Sequence, residues 1–450
     1  KLSRSWWAVA VHQPFPVLSL AAMAATGEES EGWKQRLDTA KRKIRSELTL
    51  KEWRKYGFAG NRATEFEALA NTGDVPAGAV PRLTHGELSL EEFWEHFECR
   101  ALPCIISGSP EQEEWPAWKR WKLQEFNQRF AASQFKVGKD DDGHPVRLLL
   151  HDFAQYMQNN CDDSPVYLFD NNFGGSRNGT RDAMLQEYRV PSYFPDDFME
   201  LSGEEDRPPY RWMSVGPRRS GTVMHQDPLC TSAWNTLIEG RKRWVLLPPN
   251  TARAVAKAKE MMRKEDDDEA INFFLDLLPR LRQKHPNLQI IEFVQYPGDT
   301  IYLPGLWWHC VVNIDDTVAV TQNYCGRHNF ASVWRSARKD RPCWSHRWLR
   351  GMDQNRPDLA AKARRLNSED GFDMGVLLEK NRERRNRRRQ RREQRALGQA
   401  RRQAGKDFDE AAWRRKRAEE RKDDSDSSSN SDSTVSTSTA ESSSESESGS

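Results

Sequence analysis

Two residues with metal-binding side chains, His225 and Asp227, lie one residue apart within GTVMHQDPLCTSAWNTLIEGRKRWVLLPP (221–249). In an extended strand, residues i and i+2 point to the same face, so the imidazole and the carboxylate would project together. A third candidate ligand, His309, follows more than eighty residues later in PGLWWHCVVN. Two imidazoles and one carboxylate on one side of a metal leave three positions open, which suits non-haem Fe(II) oxygenases. An H-x-D pair is common, and a lone histidine is more often a core residue. The prediction of a metal site therefore depends on His225, Asp227 and His309 lying close together in the fold.

A cation near such a metal would complete a site for 2-oxoglutarate. Two open positions on Fe(II) can take the 1-carboxylate and 2-keto oxygens of 2-oxoglutarate, and the last can take O2. The far carboxylate of this cosubstrate needs a cation, which Lys242 can supply, with donors from Thr321 and Asn323 on one strand face and from Asn235 and Tyr167. The ordinary alternatives are that Lys242 is a solvated hairpin residue and Thr321 simply a β-former.

The elements that must position these residues are short strands. From residue 165 onward, apolar runs alternate with turns such as Glu239-Gly240 and Asp315-Asp316, which predicts an antiparallel sandwich or barrel. In a jelly roll, strands far apart in sequence can be neighbours. The segment 251–288 is predicted to be a charged, helical insertion. Strands are predicted over Val166–Phe169, Tyr210–Val215, Ser232–Ile238, Arg243–Leu247, Ile290–Gln295, Thr300–Leu303, Trp307–Asn313 and Thr317–Tyr324.

The flanking regions are predicted to be helical. A basic helix is expected over Lys34–Tyr56, Ser89 to Glu92 forms a capping-box pattern, and further helices are expected over Trp334–Arg350 and Pro357–Leu366. The resulting division is an N-terminal extension, partly disordered (1–80), a helical and mixed part of the catalytic unit (81–165), the barrel (166–330), a C-terminal helical element (331–379), an arginine-rich segment (380–422) and an acidic, serine-rich disordered tail (423–450).

The near-neutral net charge of +2 conceals a strong asymmetry. Residues 380–422 hold 19 Lys and Arg against 7 Asp and Glu, whereas residues 423–450 hold 7 acidic residues and no basic one. Arginine at this density can bind RNA phosphates or act as a nuclear import signal, and a solvated charged helix is an equal alternative. The low hydrophobicity of the tail predicts disorder.

The cysteines and the N-terminus exclude several classes of protein. The 7 cysteines form no C-x-x-C pair, which favours buried thiols in a reducing compartment over a disulfide framework or a zinc finger. No apolar run is long enough for a membrane span. Residues 1–25 resemble a signal peptide in composition, but polar residues and prolines interrupt them, and we expect a natural start at Met23.

Several long motifs together resemble the JmjC-domain oxygenase family. They are His225-Gln-Asp227, the N-x-x-x-x-G-x-K-R-W pattern of 235–244, PGDTIYLPGLWWH (297–309), Thr321-Gln-Asn323, RPPYRW (207–212), GPRRSGT (216–222) and DSPVYLFD (163–170). The resemblance covers roughly residues 88 to 350. It implies a mainly β double-stranded β-helix, a jelly-roll or cupin-like barrel with flanking helices, and a C-terminal helical element that the family uses to form homodimers.

The resemblance also implies roles for individual residues. His225, Asp227 and His309 would hold Fe(II), and the residues that would seat 2-oxoglutarate are Lys242, Asn235, Thr321, Tyr167, Thr222 and Asn323. With O2, the expected activity is hydroxylation of lysine side chains in nuclear splicing-related (arginine/serine-rich) or histone proteins, with methylarginine demethylation second. The alternatives are an asparaginyl or tRNA-modifying JmjC hydroxylase and a non-enzymatic adaptor that binds RNA or proteins through its tails.

Overall fold

The computed structural model describes residues 27–75, 79–174 and 182–380, with scattered positions between 382 and 413. The tail 423–450, residues 1–26 and most of the arginine-rich segment lie outside the described residues. Among the described residues, every helix is too short or too polar to span a bilayer. The strands are β1 (Arg82–Thr84), β2 (Cys104–Ser107), β3 (Gln134–Lys139), β4 (Pro145–Leu149), β5 (Leu168–Asp170), β6 (Arg211–Gly216), β7 (Gly221–His225), β8 (Ser232–Glu239), β9 (Lys242–Leu247), β10 (Ile291–Gln295), β11 (Asp299–Leu303), β12 (Trp308–Asn313) and β13 (Thr317–Tyr324).

The helices surround these strands and are concentrated near both ends of the described region. They are α1 (Gly27–Ile44), α2 (Ala63–Ala70), α3 (Leu90–Phe93), α4 (Ser109–Gln112), α5 (Ala117–Arg120), α6 (Leu123–Phe130), α7 (Leu150–Asn159), α8 (Arg253–Ala256), α9 (Ala270–Asn272), α10 (Leu278–Lys284), α11 (Phe330–Asp340), α12 (Pro342–Asn355) and α13 (Pro357–Glu369). A π-helical stretch, Phe273–Leu277, joins α9 to α10. The capping box is present at α3, where Ser89 and Glu92 exchange hydrogen bonds.

The barrel consists of two facing sheets. One has the strand order β1-β2-β11-β8-β13-β6-β5, the other has the order β10-β9-β12-β7, and β3 pairs with β4 in a separate hairpin. From β6 to β9, and again from β10 to β13, consecutive strands belong to opposite sheets. This crossing pattern makes β12 a neighbour of β7, although more than eighty residues separate their ends. The predicted double-stranded β-helix with flanking helices is therefore confirmed.

Apolar side chains fill one end of the space between the two sheets. Trp244 and Leu246 of β9, Ile301 and Leu303 of β11 and Val311 of β12 belong to this cluster. Larger clusters cover the outer faces, one behind the seven-stranded sheet and one behind the four-stranded sheet. Because both faces of each sheet are covered, the central strands are almost continuously buried and lack the alternation of a half-exposed sheet.

Helix α1 of the N-terminal region packs against the rest of the fold, and the predicted division of the chain at residue 80 stays a prediction. The predicted basic helix begins earlier and ends earlier, as α1. Trp33 and Leu37 pack in the same cluster as barrel residue Trp234, and Lys41, 5% exposed, forms a buried ion pair with Asp162. Burial of this lysine requires its carboxylate partner, because an isolated buried charge is costly.

The insertion 251–288 is partly helical, as predicted, and several of its apolar residues are buried. Ile271, Phe274 and Leu281 pack against the outer face of the four-stranded sheet. At Gly221 of β7, a Cβ atom would lie 2.7 Å from the Cβ of Ala270, which is closer than such atoms approach. Helix α9 therefore packs in direct contact with β7, the strand that ends at His225.

Candidate metal centre

His225 and His309 are brought together by strand pairing. His225 is the last residue of β7, His309 is the second residue of β12, and the two are directly opposite each other in the antiparallel ladder. Their ring centroids are 4.1 Å apart. Asp227 lies just beyond the end of β7, in extended backbone, and begins a short 3-10 turn, Pro228–Cys230. One carboxylate oxygen of Asp227 is 3.8 Å from Nε2 of His225 and 3.9 Å from Nε2 of His309.

Hydrogen bonds orient both imidazoles for metal binding. Nδ1 of His225 is 2.7 Å from the carbonyl oxygen of Val223, and Nδ1 of His309 is 3.1 Å from that of Trp307. A carbonyl can only accept, so each Nδ1 carries the proton and donates. Each Nε2 then presents a lone pair toward Asp227, an orientation that is typical of metal-ligating histidines.

The electrostatics of the three residues favour a cation between them. Burial lowers the pKa of His309 well below its ordinary value, and the neighbouring His225 lowers it further, so this imidazole is neutral. Burial raises the pKa of Asp227, although His225 and a hydrogen bond from Asn323 oppose the rise. Metal–nitrogen and metal–oxygen bonds are about 2.0–2.2 Å long, so two ligand atoms of one ion are at most about 4.4 Å apart. The two distances to Asp227 lie within that limit, and one potential ligand atom from each of the three residues lies within 4.8 Å of the others, so the three residues are grouped closely enough to be candidate ligands of one metal ion.

Lys242 is buried on β9, the strand that pairs with β12, which carries His309. It is 2% exposed, and its Nζ donates to the hydroxyl of Tyr167 at 3.0 Å and to Oδ1 of Asn313 at 2.9 Å. In the part of the protein that the structure describes, no carboxylate lies within ion-pair distance of this ammonium. A buried cation with only neutral partners is suited to an anionic ligand, and its third N–H is available for a carboxylate of 2-oxoglutarate.

The remaining predicted cosubstrate residues also line the inside of the barrel. Thr321 of β13 lies opposite Asn235 of β8, and its hydroxyl donates to the carbonyl of Trp234. Asn323, two residues further along β13, lies beside Asp227 and donates to Thr231. Thr222 of β7 lies opposite Val311 of β12, on the pair of strands that carries the two histidines.

Sequence reasoning missed three buried residues of this site. Asn313 bonds Lys242, and the signal that could have found it was its position four residues after His309 on one strand, which places both on one face. Trp244, two residues after Lys242, stacks on His309 with centroids 6.2 Å apart. Gln295 accepts the Trp244 Nε1–H and donates to Asn235. No sequence signal pointed to Gln295.

Two nitrogen ligands and one oxygen ligand inside a double-stranded β-helix, beside a buried lysine, define the class of Fe(II)- and 2-oxoglutarate-dependent oxygenases. A family model described as "JmjC domain, hydroxylase" matches residues 212–324. The Caenorhabditis briggsae protein "Bifunctional arginine demethylase and lysyl-hydroxylase psr-1" is 37% identical over 327 residues, which are 72% of this chain and 79% of that protein. This chain belongs to the JmjC-domain hydroxylase family.

More distant relatives support the same chemistry. The Arabidopsis thaliana "Arginine-specific demethylase JMJ22" is 32% identical over 255 residues, 56% of this chain and 47% of the relative. The Mus musculus "2-oxoglutarate and iron-dependent oxygenase JMJD4" is 25% identical over 296 residues, 61% of this chain and 67% of the relative. The predictions of family, fold, enzyme class and cofactors are thereby confirmed. The roles of the individual side chains stay predictions.

Proposed function

We propose that this protein hydroxylates lysine side chains of nuclear proteins, either arginine/serine-rich splicing proteins or histones, and demethylates methylarginine as a second activity of the same site. The observation that carries the proposal is the convergence of His225, Asp227 and His309 beside the buried ammonium of Lys242. The names of the psr-1 proteins, which include both activities, support the choice of lysine and methylarginine over other acceptors.

The bound iron and 2-oxoglutarate supply the chemistry, in which one oxygen atom of O2 is inserted into a C–H bond while 2-oxoglutarate becomes succinate and CO2. The protein contributes orientation. His225, Asp227 and His309 would hold the metal on one side, and Lys242 with Tyr167 would fix the far carboxylate of the cosubstrate. Two imidazoles and one carboxylate would leave positions on the metal open for the cosubstrate and O2.

An aromatic surface extends from the cosubstrate pocket toward the edge of the barrel. Phe169 of β5 and Trp212 of β6 are both partly exposed and stack with ring centroids 5.9 Å apart. Trp212 lies directly opposite Thr321, so its side chain projects from the same face of the sheet. Aromatic faces attract ammonium and guanidinium groups, which fits a substrate with a lysine or methylarginine side chain.

One site can perform both reactions, because the outcome depends on which carbon is held closest to the iron. Oxygen insertion into a C–H bond of the lysine side chain gives hydroxylysine. Insertion into an N-methyl C–H bond of methylarginine gives a hemiaminal, which loses formaldehyde and leaves arginine with one methyl group fewer.

The test uses the full-length protein with Fe(II), 2-oxoglutarate and an arginine/serine-rich peptide that contains one lysine. We expect mass spectrometry to show the gain of one oxygen mass on that lysine and an equivalent amount of succinate. A matched peptide with arginine in place of lysine should not be modified, and its methylarginine form should lose a methylene mass. Unmodified lysine peptide, with no succinate above the peptide-free level, would contradict the proposal and favour the adaptor alternative.

Variants connect the activity to the metal site. His225→Ala should abolish turnover, whereas His144→Ala, which changes an exposed histidine outside the site, should retain it. Turnover retained by His225→Ala would refute the ligand assignment.

The nuclear location and RNA binding rest on the arginine-rich segment 380–422, and its composition supports both. A fluorescent fusion of the full-length protein should accumulate in the nucleus. The same fusion with Arg and Lys of this segment replaced by Gln should not accumulate there and should lose RNA binding, while purified protein keeps its hydroxylase activity. If the fusion with the Gln replacements still accumulates in the nucleus and still binds RNA, this part of the proposal is wrong.

A further inference from the structure

The ligand Asp227 is held differently from the two histidines. His225 and His309 are fixed by a strand ladder, whereas Asp227 lies outside it, at the start of the turn Pro228–Cys230. The position of its carboxylate therefore depends on whatever fixes this turn.

The turn has a strained backbone. Leu229 and Cys230 both have φ of 58°, in the left-handed region that residues other than glycine rarely adopt. Two such residues in succession persist only where the surroundings hold them in place. On one side, the turn is closely packed by the loop before β12, since a Cβ on Gly305 would lie 2.4 Å from the carbonyl oxygen of Cys230.

The C-terminal helices provide the other side. Leu229 is 9% exposed and belongs to the apolar cluster formed by α11, α12 and α13, which includes Phe330, Val333 and Trp334. The Cys230 thiol interacts with Ser336 of α11. Asn329, at the start of α11, donates to Ser232, where the backbone re-enters the barrel as β8. The turn that begins at Asp227 is thus packed between the loop before β12 on one side and α11 on the other.

From this geometry we infer that Leu229 is a positioning residue for the metal centre, and that its packing against α11 holds Asp227 in the orientation that binds the ion. The inference needs only the metal centre and does not depend on lysine as the substrate. By linkage, metal binding and the packing of α11 must stabilise each other to the same extent.

The first test is metal affinity, measured by titrating the full-length protein with Co(II). Replacement of groups that support a metal ligand typically weakens metal affinity by about 10- to 100-fold. We expect a loss in this range for Leu229→Ala. Leu359→Ala is the matched control, because Leu359 lies in the same apolar cluster but on α13. It should lower the melting temperature and leave Co(II) affinity within about twofold of wild type. Equal affinity in the two variants, whether both are unchanged or both weakened, would overturn the inference.

A second test uses the wild-type protein and therefore does not depend on whether a variant folds. Hydrogen exchange of the backbone amides of Phe330–Asp340 is compared with and without Co(II). Slower exchange with Co(II) is expected in the wild type and should be absent in Asp227→Ala. If Co(II) does not change the rate of amide hydrogen exchange in α11 of the wild type, the inference is overturned, even if peptide hydroxylation is confirmed.

Discussion

Replacing Lys242 by methionine is the sharpest test of the cosubstrate pocket. The substitution nearly preserves the length of the side chain and removes its charge. Lys242 is 2% exposed, and its two hydrogen-bond partners, Tyr167 and Asn313, are neutral. Without an anionic ligand, the burial of this cation destabilises the wild-type protein, and the two hydrogen bonds offset only part of that cost.

Two effects of different size are expected. Without cosubstrate, loss of the desolvated charge and loss of its two hydrogen bonds oppose each other, so the free energy of unfolding should stay within about 1 kcal/mol of wild type or increase. With cosubstrate, a buried ion pair loses one partner, which costs about 3–5 kcal/mol. At 1.4 kcal/mol per tenfold, the Kd for 2-oxoglutarate should rise between about 100-fold and about 4,000-fold.

Chemical denaturation in the presence of Mn(II), with and without 2-oxoglutarate, measures both effects. At a ligand concentration 100 times the wild-type Kd, binding should stabilise the wild type by about 2.7 kcal/mol and Lys242→Met by about 0.4 kcal/mol or less. Lys122→Met is the control, because Lys122 is a partly buried lysine that donates to the carbonyl of Ile238, outside the site. The control should keep the full stabilisation.

Either of two results would refute this reasoning about Lys242. One is a Lys242→Met variant that 2-oxoglutarate stabilises as strongly as it stabilises the wild type. The other is a ligand-free variant several kcal/mol less stable than wild type, because the lysine would then be a structural residue already satisfied by its neutral partners.

Three further predictions concern the pocket, the metal and the fold. Tyr167→Phe removes a hydroxyl that would help to fix the far carboxylate of 2-oxoglutarate. One hydrogen bond is worth about 1 kcal/mol, so calorimetry should show about a fivefold weaker Kd for 2-oxoglutarate. Chelation by EDTA should abolish succinate formation and lower the melting temperature, and added Fe(II) should restore both. For Glu187, burial raises the pKa, but hydrogen bonds from Arg129, Trp121 and Arg120 lower it below its ordinary value of 4.5. The resulting stabilisation is present above pH 4.5 and is lost as pH falls through the lowered pKa. Urea titrations should therefore show Glu187→Gln less stable than wild type at pH 7, with a smaller difference in acid.

The chemistry of the site was predictable because few residue types can perform it. A metal with open positions needs imidazoles and carboxylates, and a bound dicarboxylate needs a cation. His225, Asp227 and Lys242 lie within one short stretch of sequence, and His309 lies in a long, specific motif. Short apolar runs between turns likewise predicted most strands of the barrel, within one or two residues at each end.

The packing of the N-terminal region could not be predicted, because α1 is polar on average. Its buried apolar residues are few, and Lys41 is buried only because Asp162, more than a hundred residues away, receives it. Neither residue of such a pair reveals its partner in a single sequence. The sequence likewise did not reveal which surface the insertion 251–288 covers, because its acidic residues obscure the apolar side, which includes Phe274 and packs on the sheet.

Strand register is the other feature that the hydrophobic periodicity of the sequence could not predict. The register determines which face of the sheet Thr222 occupies. His309 lies opposite His225, so unbroken pairing would put Val311 opposite Val223 and turn Thr222 to the outer face of the sheet. In the structure, Val311 lies opposite Thr222, because β7 holds one extra residue between the two pairs. A one-residue shift moves a side chain to the other face, and such bulges re-aim side chains near active sites. The bulge therefore lets one short strand present both a candidate metal ligand, His225, and the hydroxyl group of Thr222 to the barrel interior, a placement that strict alternation along β7 would forbid.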